Sequence, residues 1–362
     1  MKVLQVINSL HTGGAEKLLL ETIPIYNKKG LTTDLLILNG AETPFLIALK
    51  KQASCSVFSL GKGSVYNPLL IFKIMPFLKK YDLIHVHLFP ALYWVAIAKI
   101  VSFSKTKIIY TEHNTTNTRR SIAIFRLVDK LIYKKYSKIV TIAKEVDLNL
   151  KSHLSYKPSK FQLIKNGVAI KFFNEATPYL KTDFFDEEAK ILIQVSSFTV
   201  QKDQFTLIKS LVQLPVNIKL LLVGEGELKD TCIKLVNELN IADRVQFLGI
   251  RTDVSRLLKT ADIVILSSHH EGLSLSSIEG MASGKPFIAS DAPGLTDVVK
   301  GAGLLFPVGD ETALAKHIRM LLNDENFYNE VAKACLERSK KYNIAIMVEK
   351  HIALYKIVVH KN

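Results

Sequence analysis

Cysteine is nearly absent: Cys55, Cys232 and Cys335 are scattered through 362 residues and are odd in number. They form neither a disulfide framework nor a metal-ligand spacing, which points to a reducing cytoplasm. Long apolar runs are missing too. The most apolar stretch, Ala91 to Phe103, is too short to span a bilayer and carries Lys99. No small-residue cleavage site follows Val3 to Ile7, so these residues read as a first strand rather than a signal peptide. Acidic residues are scarce in one half only. Residues 1–175 hold 26 Lys and Arg against 10 Asp and Glu, whereas residues 176–362 hold 22 against 23. The net charge of +15 therefore resides in the first half. Such asymmetry suggests an anionic partner: a membrane surface, nucleic acid or a phosphorylated acceptor.

What is present suffices for two cores, since 48% of the chain is hydrophobic. Strand and helix patterns alternate through both halves, which predicts parallel sheets. After the strand Val3 to Ile7, His11-Thr12-Gly13-Gly14-Ala15-Glu16 turns into a helix through about Asn27. Gly13-Gly14 lets backbone pass close to a ligand at the carboxyl end of that strand, and it equally suits a plain tight turn. Thr33 to Leu38 is the next strand. Asp82 to His87 ends another, with His85 and His87 on one face. A metal pair is geometrically possible there; without a third ligand, a structural or cleft-lining role is preferred. Ile108 to Thr111 delivers Glu112-His113-Asn114-Thr115-Thr116 at its carboxyl end. His113 there either contacts a reacting ligand or is a solvent-exposed turn residue.

From Arg119 to Lys144 eight basic residues interleave with Ile122, Phe125, Leu127, Val128, Leu131 and Ile132. This reads as a basic amphipathic helix, its apolar face in the core and its basic face either solvated or on lipid headgroups. Asn166-Gly167-Val168 leads into the polar stretch Asn174 to Lys190, a candidate linker. A second alternating series begins at Ile191. Lys202 stands just before the helix Gln204 to Leu214, where a lysine can pair with phosphate or simply face solvent. Ile218 to Val223 and Val245 to Gly249 are strands, and Ile250-Arg251 follows the second.

The densest signal runs from Ile263 to Pro286. An apolar strand, Ile263 to Leu266, is followed by a polar loop and a helix from about Ser277 to Ser283. Gly284 is placed to close that helix in the left-handed conformation, and Pro286 prevents its continuation. Small residues at Gly272, Ser274, Ser276 and Ser277 let N–H groups approach a ligand, and a helix N-terminus attracts phosphate. Glu271 and Glu279 flank this anion seat. Carboxylates beside phosphate suit sugar hydroxyls, so the combination suggests a nucleotide sugar. Ser276-x-x-Glu279 also fits a capping box.

This stretch resembles the donor-binding motif of the retaining glycosyltransferases of family 4, a glutamate, seven residues and a second glutamate within strand–loop–helix. The matching residues are Glu271, Gly272, Glu279, Met281, Ala282, Gly284 and Pro286; Gly280 stands where alanine is commoner. The resemblance covers nearly the whole chain and implies the GT-B arrangement, two doubly wound Rossmann-like parallel-sheet domains facing across a cleft. Residues 1–172 would form the acceptor-side domain, 173–343 the donor-binding domain, and 344–362 a helix returning to the first. It implies that Gly13, Gly14 and Lys202 meet the donor phosphates, with Gly272, Leu273, Ser274, Leu275 and Ser276 at the helix start. Ile250 and Arg251 would meet the base through backbone, Glu279 the ribose and Glu271 the sugar hydroxyls, with His113 at the reacting face. Ser197 stands where the family's phosphate-binding arginine is expected.

The implied activity is retaining transfer of a hexosyl or N-acetylhexosaminyl group from a UDP- or GDP-sugar to a lipid-linked or saccharide acceptor. No cofactor and no metal are expected, and nucleic acid is not the expected partner. The setting would be bacterial surface polysaccharide or glycolipid assembly, with the enzyme cytoplasmic and peripheral on the inner membrane face. The alternatives are a GT-B enzyme of other chemistry, such as a nucleotide-sugar epimerase, and a non-catalytic basic membrane-associated protein with a degenerate site.

Overall fold

The computed structural model describes every residue except 12, 115–121 and 361–362. Thr12, Thr115, Thr116, Arg119 and Arg120 of the stretches above lie outside the described residues. The chain divides into two compact units, Met1–Gly167 with Ile344–Asn362, and Val168–Asn343.

The first unit is built on seven strands: β1 (Lys2–Ile7), β2 (Thr32–Ile37), β3 (Val57–Ser59), β4 (Leu83–His87), β5 (Lys107–Glu112), β6 (Lys138–Thr141) and β7 (Phe161–Leu163). Their order is β3-β2-β1-β4-β5-β6-β7, with every pair parallel. The central strands are aliphatic because helices cover both faces, and Val3 to Ile7 and Leu83 to His87 are buried throughout. The order reverses between β1 and β4, so the carboxyl ends of those strands open on the crevice where such sheets take ligands. Asn8 ties the two ends together, donating to the carbonyl of Phe89 at 2.7 Å and accepting from the N–H of Ala91 at 3.2 Å. The apolar stretch beginning at Ala91 is a core helix, Ala91–Val101, with six buried side chains. The C-terminal helix Ile344–His360 packs within this unit against Gly14–Lys28, through Tyr26, His351 and Tyr355.

The second unit holds β8 (Lys190–Val195), β9 (Ile218–Val223), β10 (Val245–Phe247), β11 (Ile263–Leu266), β12 (Phe287–Ser290) and β13 (Leu304–Phe306). The order β10-β9-β8-β11-β12-β13 is again parallel, with its reversal between β8 and β11. One continuous apolar core underlies it.

Two local expectations change. The polar stretch Asn174 to Lys190 is not a free linker but a strap on the second unit. Tyr179 donates its N–H to Thr260 Oγ1 at 2.8 Å, and its ring carries the Arg256 guanidinium at 3.7 Å. Lys181 pairs with Asp262 at 2.8 Å. The helix Ala123–Lys134 turns Ile132 and Tyr133 inward but leaves Ile124, Leu127 and Leu131 60–67% exposed. Part of its apolar face is therefore surface, not core.

Candidate functional site

The β8 and β11 carboxyl ends bring the second unit's predicted residues together. Beyond β8, Ser196 and Ser197 lead to Lys202; beyond β11, Ser267 and Ser268 lead to Glu271. Side chains from the strand ends stitch the two loops. Gln194 donates to the carbonyl of Lys202 at 2.9 Å, and Ser267 donates to that of Asp203 at 2.7 Å. Gln201 accepts from the N–H of His269 at 2.8 Å through its carbonyl and donates to the carbonyl of His270 at 2.7 Å through its amide. Gly294, at φ +81°, lets the turn behind this loop approach closely: a Cβ there would lie 2.1 Å from the Glu271 carbonyl oxygen.

The result is a short ion pair. Lys202 Nζ lies 2.5 Å from Glu271 Oε1, which also accepts from Ser268 Oγ at 2.7 Å. Both partners are largely buried, with side-chain exposures of 17% and 7%. Glu279 is buried on the neighbouring helix.

That helix spans Leu275–Ala282, starting two residues earlier than the sequence suggests. Ser274 is its N-cap, accepting from the N–H of Ser277 at 3.4 Å, so Ser276-x-x-Glu279 is not a capping box. The N–H groups of Leu275 and Ser276 precede the first intrahelical bond and project from the helix end, where the helix dipole favours an anion. Gly284 closes the helix at φ +76°. Gly280 has a packing reason: a Cβ would come within 2.7 Å of the Phe287 ring and 2.8 Å of Val264 Cγ1.

Other predicted positions are less committed to an anion. Ser197 is exposed and holds Gln204 Nε2 through its carbonyl at 2.9 Å, adding no charge. Ile250 is exposed. The Arg251 guanidinium grips Asp253 at 2.8 and 2.6 Å and holds that carboxyl well below its usual range, so backbone is what this segment offers a base.

In the first unit, Gly13 caps the helix Gly14–Lys28 through backbone alone. A Cβ at Gly13 would meet the Glu16 carboxylate at 2.3 Å, so this carboxylate lies over the turn; burial raises its pKa. His113 leaves β5 partly buried, with Nε2 3.0 Å from His87 Nδ1. Burial lowers its pKa to about 4. His85 and His87 lie with ring centroids 4.2 Å apart, tilted by 37°, and bond to Thr111, Tyr355 and Gln5 rather than converging on a metal. Among the described residues no group of three or more His, Cys, Asp or Glu side chains is arranged to hold one.

Sequence reasoning missed the partners Ser268, Gln194, Gln201, Gln5 and Tyr355. Only His351 and Tyr355, four apart near the C-terminus, left a trace as polar residues on an otherwise apolar helix face.

Comparison with known proteins bears on both units. Residues 179–341 match the family model described as glycosyl transferases group 1, and residues 12–172 match glycosyltransferase family 4. The N-acetyl-alpha-D-glucosaminyl L-malate synthase of Bacillus anthracis is 31% identical over 266 residues, covering 71% of this chain and 69% of the relative. A Campylobacter jejuni N-acetylgalactosaminyltransferase, named for an N-acetylgalactosamine-N,N'-diacetylbacillosaminyl-diphospho-undecaprenol acceptor, is 25% identical over 93% of this chain and 94% of its own. The crystal structure of Anabaena HepE with UDP-glucose superposes with a TM-score of 0.85 at 21% identity, covering 98% of this chain and 99% of that one. That likeness establishes the fold.

Proposed function

The chain belongs to the family 4 glycosyltransferases of GT-B type, and on that premise we propose that it moves a sugar from a nucleotide-diphosphate sugar to an acceptor hydroxyl with retention of anomeric configuration. Relatives of this family act in polysaccharide and glycolipid assembly, as the name of the Campylobacter protein illustrates. The observation that carries the reading is the buried Lys202–Glu271 pair beside the free N-terminus of Leu275–Ala282. It offers a cation and backbone donors for a diphosphate, and two carboxylates for hydroxyls.

In the proposed mechanism the donor diphosphate takes the N–H groups of Leu275 and Ser276 and draws the Lys202 ammonium toward itself. Charge that develops on the leaving diphosphate is then stabilised by groups already in place. As Lys202 turns to phosphate, Glu271 is released to accept from sugar hydroxyls, while Ser268 keeps its carboxylate oriented. Glu279 holds the ribose, and the Ile250-Arg251 backbone meets the base. In the first unit His113 contacts the donor sugar, and Gly13-Gly14 approaches the phosphates. Ser197 leaves one phosphate contact uncharged, so Lys202 carries more of the load. No side chain is assigned as a covalent nucleophile; the acceptor attacks from the face the diphosphate leaves.

The test is product analysis by NMR with UDP- and GDP-sugars, with and without a saccharide or lipid-linked acceptor. The expected product keeps the donor's anomeric configuration, and transfer persists in excess EDTA because lysine and backbone supply the charge stabilisation. Donor isomerised without acceptor would identify an epimerase. Abolition by EDTA with rescue by manganese would contradict the assignment of that role to Lys202.

A lipid-linked acceptor places the enzyme at an anionic membrane surface, on the cytoplasmic face. Among the described residues no helix is long and apolar enough to cross a membrane. The helix Ala123–Lys134 supplies another route: exposed Ile124, Leu127 and Leu131 form a stripe, with Arg126, Lys130 and Lys134 on the same helix. Such a helix lies in the headgroup plane, with basic side chains contributing about 1 kcal/mol each on anionic lipid. Vesicle sedimentation should show binding to anionic but not neutral vesicles, lost at high salt. Loss is expected both on Lys130→Gln, Lys134→Gln, Lys135→Gln together and on Leu127→Ser with Leu131→Ser. Equal binding to both vesicle types would contradict an electrostatic attachment.

A further inference from the structure

Beneath His113 lies a buried polar group that the transfer mechanism leaves unused. Gln5 comes from β1, His85 and His87 from β4, Thr111 from β5, and Tyr355 from the C-terminal helix. A neutral imidazole has one N–H and one lone pair, so each hydrogen bond fixes the proton on the next ring. Burial depresses the pKa of all three histidines here, which keeps them neutral at pH 7.

The direction follows from Gln5. Its carboxamide oxygen lies 2.9 Å from His87 Nε2 and can only accept, so His87 carries its proton on Nε2. His87 Nδ1 is then a lone pair, and His113 must donate to it from Nε2 across 3.0 Å. On the other side the Gln5 amide donates to Tyr355 Oη at 3.3 Å. Tyr355 Oη lies 2.7 Å from His85 Nδ1, and His85 Nε2 lies 2.6 Å from Thr111 Oγ1. From His113 through His87 and Gln5 to Tyr355, every donor points inward. The remaining nitrogen of His113, Nδ1, makes no hydrogen bond to a described residue and is left as an acceptor.

We propose that Gln5 and Tyr355 are positioning residues that fix His113 as the Nε2–H tautomer, so that its Nδ1 accepts a hydrogen bond from a hydroxyl of the donor sugar. This rests on the reading that His113 contacts that sugar. Turning the Gln5 amide over would reverse the donors from Tyr355 through Gln5 and His87 and put the proton on His113 Nδ1, which then cannot accept. Tyr355 is the far anchor of the amide, so the C-terminal helix sets the chemistry of a residue distant from it in sequence.

The test reads the tautomer directly, by 15N NMR of imidazole-labelled protein at pH 8 with His113 assigned from His113→Gln. Wild type should show His113 protonated on Nε2. Tyr355→Phe frees the amide and should give a mixture of tautomers, with kcat lowered about ten-fold, the worth of one hydrogen bond, and acceptor KM unchanged. Adding Gln5→Glu should restore the single tautomer and most of the rate, since a carboxylate offers His87 only acceptors. A purely structural role predicts no such rescue. His113 protonated on Nδ1 in wild type, or a single tautomer in Tyr355→Phe, would overturn the proposal. If His113→Ala left turnover unchanged, the donor-contact reading would fail instead, whatever the tautomer.

Discussion

Lys202→Ala is expected to lower kcat/KM for the donor by about three orders of magnitude and to destabilise the second unit. Two losses coincide. The first is a charge-assisted bond to phosphate, with Ser197 offering no substitute cation. The second is the partner of Glu271, 2.5 Å away and largely buried. Removing one member of such a pair costs about 3–5 kcal/mol, because the survivor keeps its charge without compensation. The stranded carboxylate would also repel the diphosphate from its seat. Lys202→Ala combined with Glu271→Gln separates these effects. The double variant should recover melting temperature without recovering transfer. Steady-state kinetics and thermal melts of wild type and both variants decide it; donor affinity unchanged in Lys202→Ala would place the phosphates elsewhere.

Acid should unfold the first unit through its histidines. Desolvation, reinforced by neighbouring imidazoles, holds His85 and His87 well below 6.5, His113 at about 4 and His351 at about 3. The unfolded chain binds protons below about pH 6.5 that the folded chain refuses, so stability is complete above that pH. It falls as pH drops toward the folded values. Each histidine that stays neutral costs up to about 1.4 kcal/mol per pH unit, so His113 and His351 alone remove about 3 kcal/mol between pH 6.5 and 5. The sole tryptophan, Trp94, reports on this unit, its indole N–H bonded to the Val65 carbonyl at 2.7 Å. Urea melts followed by its fluorescence at pH 7.5 and 5 should show the difference. His351→Leu removes a ring whose Nε2 is buried without a hydrogen-bond partner among the described residues, and should reduce the pH slope by about one proton. A stability independent of pH over this range would contradict the account.

The strand, loop and helix of the proposed anion seat were legible because they lie in one contiguous stretch, from Ile263 to Gly284. Its details were less so. Ser274 and Ser276 are both competent caps, and only the backbone path chooses between them. The Lys202–Glu271 pair joins loops 69 residues apart, a contact no local pattern encodes. The His85–Tyr355 bond spans 270 residues and depends on where the C-terminal helix packs. Periodicity showed that Ala123–Lys134 is amphipathic, but not how much of its apolar face would be covered. Polarity suggested a linker at Asn174 to Lys190, whereas Tyr179 and Lys181 are used as anchors on the second unit.

The most direct test of the account is the affinity of Glu279→Gln for the donor. The donor is the UDP- or GDP-sugar that most raises the wild-type melting temperature, since binding stabilises the native state by mass action. Calorimetric titration should show affinity about ten-fold weaker in the variant, one charge-assisted hydrogen bond lost from the ribose. The melting temperature of the free variant should change little. Undiminished affinity together with a clear loss of stability would show that Glu279 only supports its helix, and would contradict the proposed donor site.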